Sequence, residues 1–230
     1  MIITIDGPIA TGKSTIAKRL ATEIGFIYFD TGAMYRCVTY AVLKHKIDIA
    51  NPTALTEFLK AFQFEIKVKQ GDRFYFVDGE NVTLKIRGEE VTANVSKVSA
   101  IPAVREKLVA LQREGAIGVN AVFEGRDMGT VVFPNAQLKV FLTGRADVRA
   151  KRRYEELCAK FPEEAAHLTL EKCLQDINER DEYDTKRDVS PLKQADDACV
   201  VDTTDLTIEE IILKILEYKD TIKTRIKHQE

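Results

Sequence analysis

The chain has 230 residues, 45% hydrophobic and 30% charged, with a formal net charge of −2. This supports one sizeable core in an ordinary globular composition, and nothing in the charge balance points to broad binding to nucleic acid or anionic membranes. No apolar run is long enough to cross a bilayer, and the four scattered cysteines (Cys37, Cys158, Cys173, Cys199), with no C-x-x-C and three histidines, argue for free thiols against a metal or disulfide framework.

Met1 to Asp6 is a short β-branched run that reads as a buried strand. It is followed by Gly7-Pro8-Ile9-Ala10-Thr11-Gly12-Lys13-Ser14, the G-x-x-x-x-G-K-[ST] phosphate-binding loop. Ser14 and Thr15 then open a helix, with Ile16, Leu20 and Ile24 at four-residue spacing and Gly25 ending it. The two glycines let the backbone turn tightly around an anion. The loop N–H groups and the helix N-terminus provide the donors. Lys13 is placed for the β- and γ-phosphates of a bound triphosphate, and the Ser14 hydroxyl for Mg2+.

Phe26 to Phe29 reads as a second strand, followed by Asp30-Thr31-Gly32-Ala33-Met34-Tyr35-Arg36 and a helix to about Lys46. Asn51-Pro52 caps and starts a short helix. Phe64 to Lys69 alternates strictly, Gly71-Asp72 turns, Phe74 to Val77 is a strand, Asp78-Gly79 turns, and Val82 to Ile86 is expected as a third strand. This reads as a small antiparallel insertion over residues 64–92. Asn94 to Glu114 reads as helical, interrupted near Pro102.

Asn120 to Phe123 and Leu138 to Leu142 read as core strands, the first ending in Glu124-Gly125-Arg126-Asp127. A basic helical stretch follows, carrying Arg149, Arg152 and Arg153 and broken at Phe161-Pro162. Thr169 starts a helix to about Glu182, Ala198 to Asp202 is a last strand, and Thr207 with Glu210 forms a capping box. The polar tail from Lys219 to Glu230 is expected to fray. Five apolar strands alternating with helices imply an α/β fold with a parallel sheet covered on both faces. Ligands bind beyond the carboxyl ends of such strands.

Three further motifs accompany the P-loop: the run after the second strand, Glu124-Gly125-Arg126-Asp127-Met128-Gly129-Thr130-Val131-Val132-Phe133-Pro134, and Glu179-Arg180-Asp181-Glu182-Tyr183-Asp184-Thr185-Lys186-Arg187-Asp188. Together they resemble the bacterial cytidylate kinases over nearly the whole chain. Glu124 stands where that family commonly has Asp, and some members have Gly at the position of Ser14.

The resemblance implies a P-loop NTPase-type three-layer α/β/α fold with a five-stranded parallel sheet, a helical lid and the antiparallel insertion. The core would be residues 1–30, 116–148 and 184–220, the monophosphate-binding region 31–115, and the lid about 149–168. It implies transfer of the γ-phosphoryl group of ATP, with Mg2+, to CMP or dCMP. Lys13, Arg126, Arg187 and Arg153 would neutralise charge in that transfer. Arg36, Arg126 and Arg187 would hold the acceptor phosphate, and Thr31 would line the acceptor site. Ser96, Arg105 and Asp127 would read cytosine, and Arg180 and Asp184 would hold the sugar. The expected protein is a cytoplasmic monomer acting on small molecules.

A monophosphate is already a dianion near neutral pH, so this reaction needs positioning and cations more than a base. Each residue also has a plainer reading. Arg36 could be a solvated helix residue, Ser96 a helix cap, Asp127 with Arg126 a structural ion pair, and Arg180 with Asp184 an i, i+4 surface pair. Three other functions stay open. One is a P-loop kinase acting on another acceptor, with Asp30 as base if that acceptor is an alcohol. Another is a GTPase reading guanine through Thr185-Lys186-Arg187-Asp188. The third is an inactive nucleotide-binding module.

Overall fold

A computed structural model describes residues 1–69, 72–163 and 165–227, with side chains to residue 221. The chain divides into two compact units, Met1–Phe29 with Ala116–Glu230, and Asp30–Gly115.

The first unit is built on β1 (Ile2–Asp6), α1 (Lys13–Glu23) and β2 (Ile27–Asp30), and resumes with β6 (Ala121–Gly125), β7 (Leu138–Thr143), α6 (Ala146–Lys160), α7 (Leu170–Lys186), β8 (Cys199–Asp202) and α8 (Ile208–Lys227). Its five strands lie in the order β2-β6-β1-β7-β8. β1 is parallel to β6 on one side and to β7 on the other. The alternation of strand side chains sorts the two faces. Ile3, Ile5, Val122 and Val140 pack with Ile16 and Leu20 of α1 and Ile211 and Ile215 of α8. On the opposite face Phe123 stacks on Phe29 at 4.4 Å between ring centroids and meets Phe133 at the same distance.

Local chemistry fixes the helix ends. Gly25 adopts the left-handed conformation at φ 69° and closes α1. The Thr169 hydroxyl accepts the Lys172 N–H at the start of α7. Thr207 and Glu210 form the expected capping box. α8 continues to Lys227, so the tail expected to fray from Lys219 is helical through that residue.

The second unit holds α2 (Thr31–Lys44), α3 (Pro52–Ala61), β3 (Phe64–Lys69), β4 (Asp72–Val77), β5 (Glu80–Asn81), a 3-10 turn (Lys85–Arg87), α4 (Glu89–Ser99) and α5 (Pro102–Gly115). β3, β4 and β5 form a separate antiparallel sheet. The Gly71 half of the first expected turn lies outside the described residues.

Two expectations need correction. The third antiparallel strand covers only Glu80–Asn81, not Val82 to Ile86. Asn81 accepts the Thr83 N–H through its side chain, and Thr83 Oγ1 accepts the Tyr75 N–H. Past Val82, whose N–H still reaches the Tyr75 carbonyl at 2.8 Å, these side-chain bonds replace the ladder, while Val82 and Ile86 turn into the core. The helix expected from Asn94 begins at Glu89, with Glu89 and Glu90 in a first turn suited to acidic residues.

Candidate active site

Gly7 follows β1 at φ 150°, where a Cβ would lie 2.2 Å from the Leu142 carbonyl oxygen. Only glycine fits this approach of the loop to the end of β7. Ala10 is held at φ 61° and Gly12 at φ 85°. Gly12 is the N-cap of α1, which has no side-chain cap and no acidic residue in its first turn. The first N–H groups of α1 therefore keep their capacity for an anion.

Lys13 is buried, and its ammonium donates to the Pro8 carbonyl at 2.5 Å and to Thr11 Oγ1 at 3.4 Å. Burial, then the Arg126 guanidinium, bring its pKa down to about 7, against the opposing pull of Glu124, Asp184 and Asp6. Ser14 donates its hydroxyl to Glu124 Oε1 at 2.7 Å, and the Tyr28 hydroxyl reaches the same oxygen at 3.2 Å. Glu124 therefore reaches the P-loop helix despite its longer stem.

Beyond β6, Arg126 and Asp127 lead into a π turn, Met128–Val132. Asp6, at the end of β1, accepts the Met128 N–H at 2.9 Å and the Gly129 N–H at 2.7 Å. Burial raises the Asp6 carboxyl to about 6 despite these two donors. Asp6 thus anchors the segment that carries Arg126 and Asp127 to the strand that carries the P-loop.

Helix α7 contributes the remaining charges. Asp184 is 1% exposed and accepts from Arg126 Nε at 2.9 Å and from Arg180 Nε at 3.4 Å. Burial would raise its pKa, but Arg126, Arg180 and Arg187 hold it below the usual carboxylate value. The Arg180–Asp184 pair is therefore no surface pair. Arg187 donates to the Ser190 carbonyl at 2.6 Å and lies 3.8 Å from Asp127. Thr185-Lys186-Arg187-Asp188 ends a helix and does not follow a strand, unlike a guanine-reading loop.

The three basic-helix arginines diverge. Arg149 is buried and donates to the Ile9 and Gly144 carbonyls and to Asp181. Arg152 donates to Thr203 and to the Thr204 carbonyl. Arg153 pairs with Glu156 on its own helix at 3.0 Å.

In the second unit, Asp30 caps α2 by accepting the Ala33 N–H, and its other oxygen lies 3.3 Å from Arg87. Both oxygens are thereby engaged, which does not suit the alcohol-activating base considered for it. Thr31 is buried in the first turn of α2. Arg36 donates to the Ile86 carbonyl and to Thr92 Oγ1. Arg105 is buried with its guanidinium 5.4 Å from the Tyr35 ring centroid and donates to the Ser99 carbonyl. Ser96 lies inside α4 and is not a cap, because that helix starts seven residues earlier, at Glu89.

The family model for cytidylate kinase matches residues 3–221. The chain belongs to the cytidylate kinase family. It is 69% identical over 225 residues to a cytidylate kinase of Protochlamydia amoebophila, covering 98% of this chain and 99% of that one. A cytidylate kinase of Chloroherpeton thalassium is 47% identical, covering 99% and 96% of the two chains. A crystal structure of an uncharacterized protein from Eubacterium ventriosum aligns with a TM-score of 0.50 at 14% identity, over 96% of this chain and 98% of that one, a likeness of fold alone.

Two residues that shape this arrangement escape motif reading. Asp6 lies in the quoted strand, yet its link to Met128 and Gly129 is a tertiary fact. Asp181 lies inside the Glu179 to Asp188 run, where its acid could serve any of several arginines. A carboxylate at a buried strand end is the one signal that could have marked Asp6.

Proposed function

We propose that the protein transfers the γ-phosphoryl group of MgATP to CMP or dCMP. The observation that carries this reading is the uncapped start of α1, where the buried Lys13 folds back on the Pro8 carbonyl and Ser14 meets Glu124. Free N–H groups at a helix start beside a buried ammonium favour an anion there.

The Ser14 hydroxyl and the Glu124 carboxylate, 2.7 Å apart, are hard oxygen donors that suit Mg2+ directly or through its waters. Bound there with the phosphates, Mg2+ would neutralise charge on the transferring group. Lys13 follows the β- and γ-phosphates. The acceptor phosphate, a dianion near pH 7, attacks without a strong base. Arg36, Arg126 and Arg187 grip that phosphate, and their planar forks match its oxygens. Arg153, paired with Glu156 on its own helix among the described residues, is the lid arginine best able to exchange its partner for a phosphate.

Cytosine presents one amino donor and two acceptors, complementary to the Asp127 carboxylate, the Arg105 guanidinium and the Ser96 hydroxyl. Arg105 is already stiffened by Tyr35 and Ser99. Asp184 serves the sugar while it fixes Arg126 and Arg180. Thr31, at the start of α2, completes the acceptor side.

The test is ADP release from MgATP with CMP, dCMP, UMP, AMP and no acceptor in parallel. Stimulation by CMP and dCMP above the others is expected. Equal release without acceptor would remove the cytosine pocket from this reading.

A further inference from the structure

Ile9 is gripped by two helices. Its N–H donates to Asp181 Oδ1 of α7 at 3.2 Å, and its carbonyl accepts from Arg149 of α6 at 3.0 Å. The two gripping side chains pair with each other at 2.6 Å, and both are largely buried. Arg149 Nε is in turn fixed by the Gly144 carbonyl at 2.8 Å. The side chains of Ile9 and Ala10 pack against the apolar cluster of Ala150, Cys173 and Ile177 between the same helices. Polar and apolar contacts therefore converge on one residue of the P-loop.

The peptide geometry gives this grip a direction. No peptide bond among the described residues is cis. In a trans peptide the N–H points opposite to the preceding carbonyl. With the Ile9 carbonyl turned to Arg149, the Ala10 N–H is turned away from α6. Likewise the Pro8 carbonyl meets Lys13 while the Ile9 N–H meets Asp181. Ala10 itself sits at φ 61°, a conformation an alanine keeps only under constraint from its neighbours.

We propose that Arg149 and Asp181 are positioning residues for the phosphoryl donor: they hold Ile9 by both backbone groups and so set the Ala10 N–H toward the triphosphate. The inference rests on the P-loop being the ATP cradle. It makes the α6–α7 hairpin part of the donor site through backbone contacts, without either side chain touching ATP.

The experiment compares wild type with Asp181→Asn, Arg149→Lys and Lys13→Ala. Calorimetry gives the MgATP Kd, steady-state kinetics give KM for ATP and for CMP, and thermal melting gives Tm. Asp181→Asn and Arg149→Lys are expected to raise the MgATP Kd about tenfold, the effect of losing a charge-assisted hydrogen bond. KM for CMP should stay within about twofold, because the acceptor does not depend on the Ile9 peptide. Unchanged Kd, or equal rises in both KM values, would overturn the proposal, since a purely structural role spoils both substrates together. Lys13→Ala should lose MgATP binding. Unaltered binding there would refute the P-loop reading itself, a different failure. If neither clamp variant folds, amide exchange in the wild type decides: a protected Ile9 N–H supports the clamp, and fast exchange overturns it.

Discussion

Arg126 and Asp184 meet at 2.9 Å, with Asp184 1% and Arg126 21% exposed by side chain. One carboxylate at the end of α7 thus orients the guanidinium that follows β6, and it also takes Arg180 from its own helix. Asp184→Asn keeps the shape but leaves Arg126 and Arg180 facing a neutral amide. The loss in stability should be about 3 kcal/mol, the scale for breaking a buried pair. It should appear as a lower urea midpoint at unchanged m, together with a KM for CMP raised at least tenfold.

Lys13 should make MgATP binding pH-dependent. Its free-protein pKa of about 7 lies below the ordinary 10.5, and a bound triphosphate restores the charge. Binding near pH 8 should therefore take up about one proton, and affinity should weaken up to about tenfold per pH unit above 7. Calorimetry in buffers of different ionisation enthalpy measures the uptake. For the unliganded protein the sign is opposite in origin: the unfolded chain binds the proton more readily, so stability gains from this group as pH rises from about 7 to 10.5. Lys13→Ala should abolish both effects and turnover.

Asp6 titrates in the other direction. Its folded pKa of about 6 exceeds the unfolded 3.8, so the folded form binds the proton more tightly. This group's contribution to stability is present below about pH 3.8 and lost as pH rises through 6, a swing of about 3 kcal/mol. Asp6→Asn should flatten that part of the stability profile in chemical denaturation. An amide can accept only through its oxygen, so one of the Met128 and Gly129 N–H groups loses its partner. Acceptor turnover should fall as the Arg126–Asp127 segment loosens.

Gly7→Ala places a methyl 2.2 Å from the Leu142 carbonyl oxygen, at φ 150°. Neither the clash nor the conformation relaxes without moving the end of β7. A destabilisation of more than ~1 kcal/mol and loss of MgATP binding are expected, measured by thermal melting and calorimetry.

Much of the donor side was legible because phosphate binding constrains consecutive residues. Gly7, Gly12, Lys13 and Ser14 act through the local backbone, so their spacing is itself the signal. The five core strands were also readable, since β-branched runs between helices leave few alternatives. The failures have a common cause. Val82 to Ile86 has strand composition, but Asn81 and Thr83 side chains capture the backbone locally. Ser96 looked like a cap only because Glu89 and Glu90 were not recognised as the first turn of α4. Asp181 and Asp184 sit three residues apart in one acidic and basic run, and periodicity cannot say which arginine each one meets. Arg149 takes Asp181 from α6, and Arg126 takes Asp184 from the end of β6.

The order of the sheet also bears on synthesis. Among the described residues β1 pairs with β6 and β7, Ile2 facing Ala121 and Ile3 facing Leu138. The strand that carries the P-loop is made before both of its neighbours and finds them only after the whole Asp30–Gly115 unit has emerged. That unit is one unbroken run with its own apolar cluster, so it can condense while β1 is still waiting. Nascent chains halted between Gly115 and Ala121 would then carry a folded Asp30–Gly115 unit and an unpaired, β-branched β1, an open strand in need of protection from aggregation.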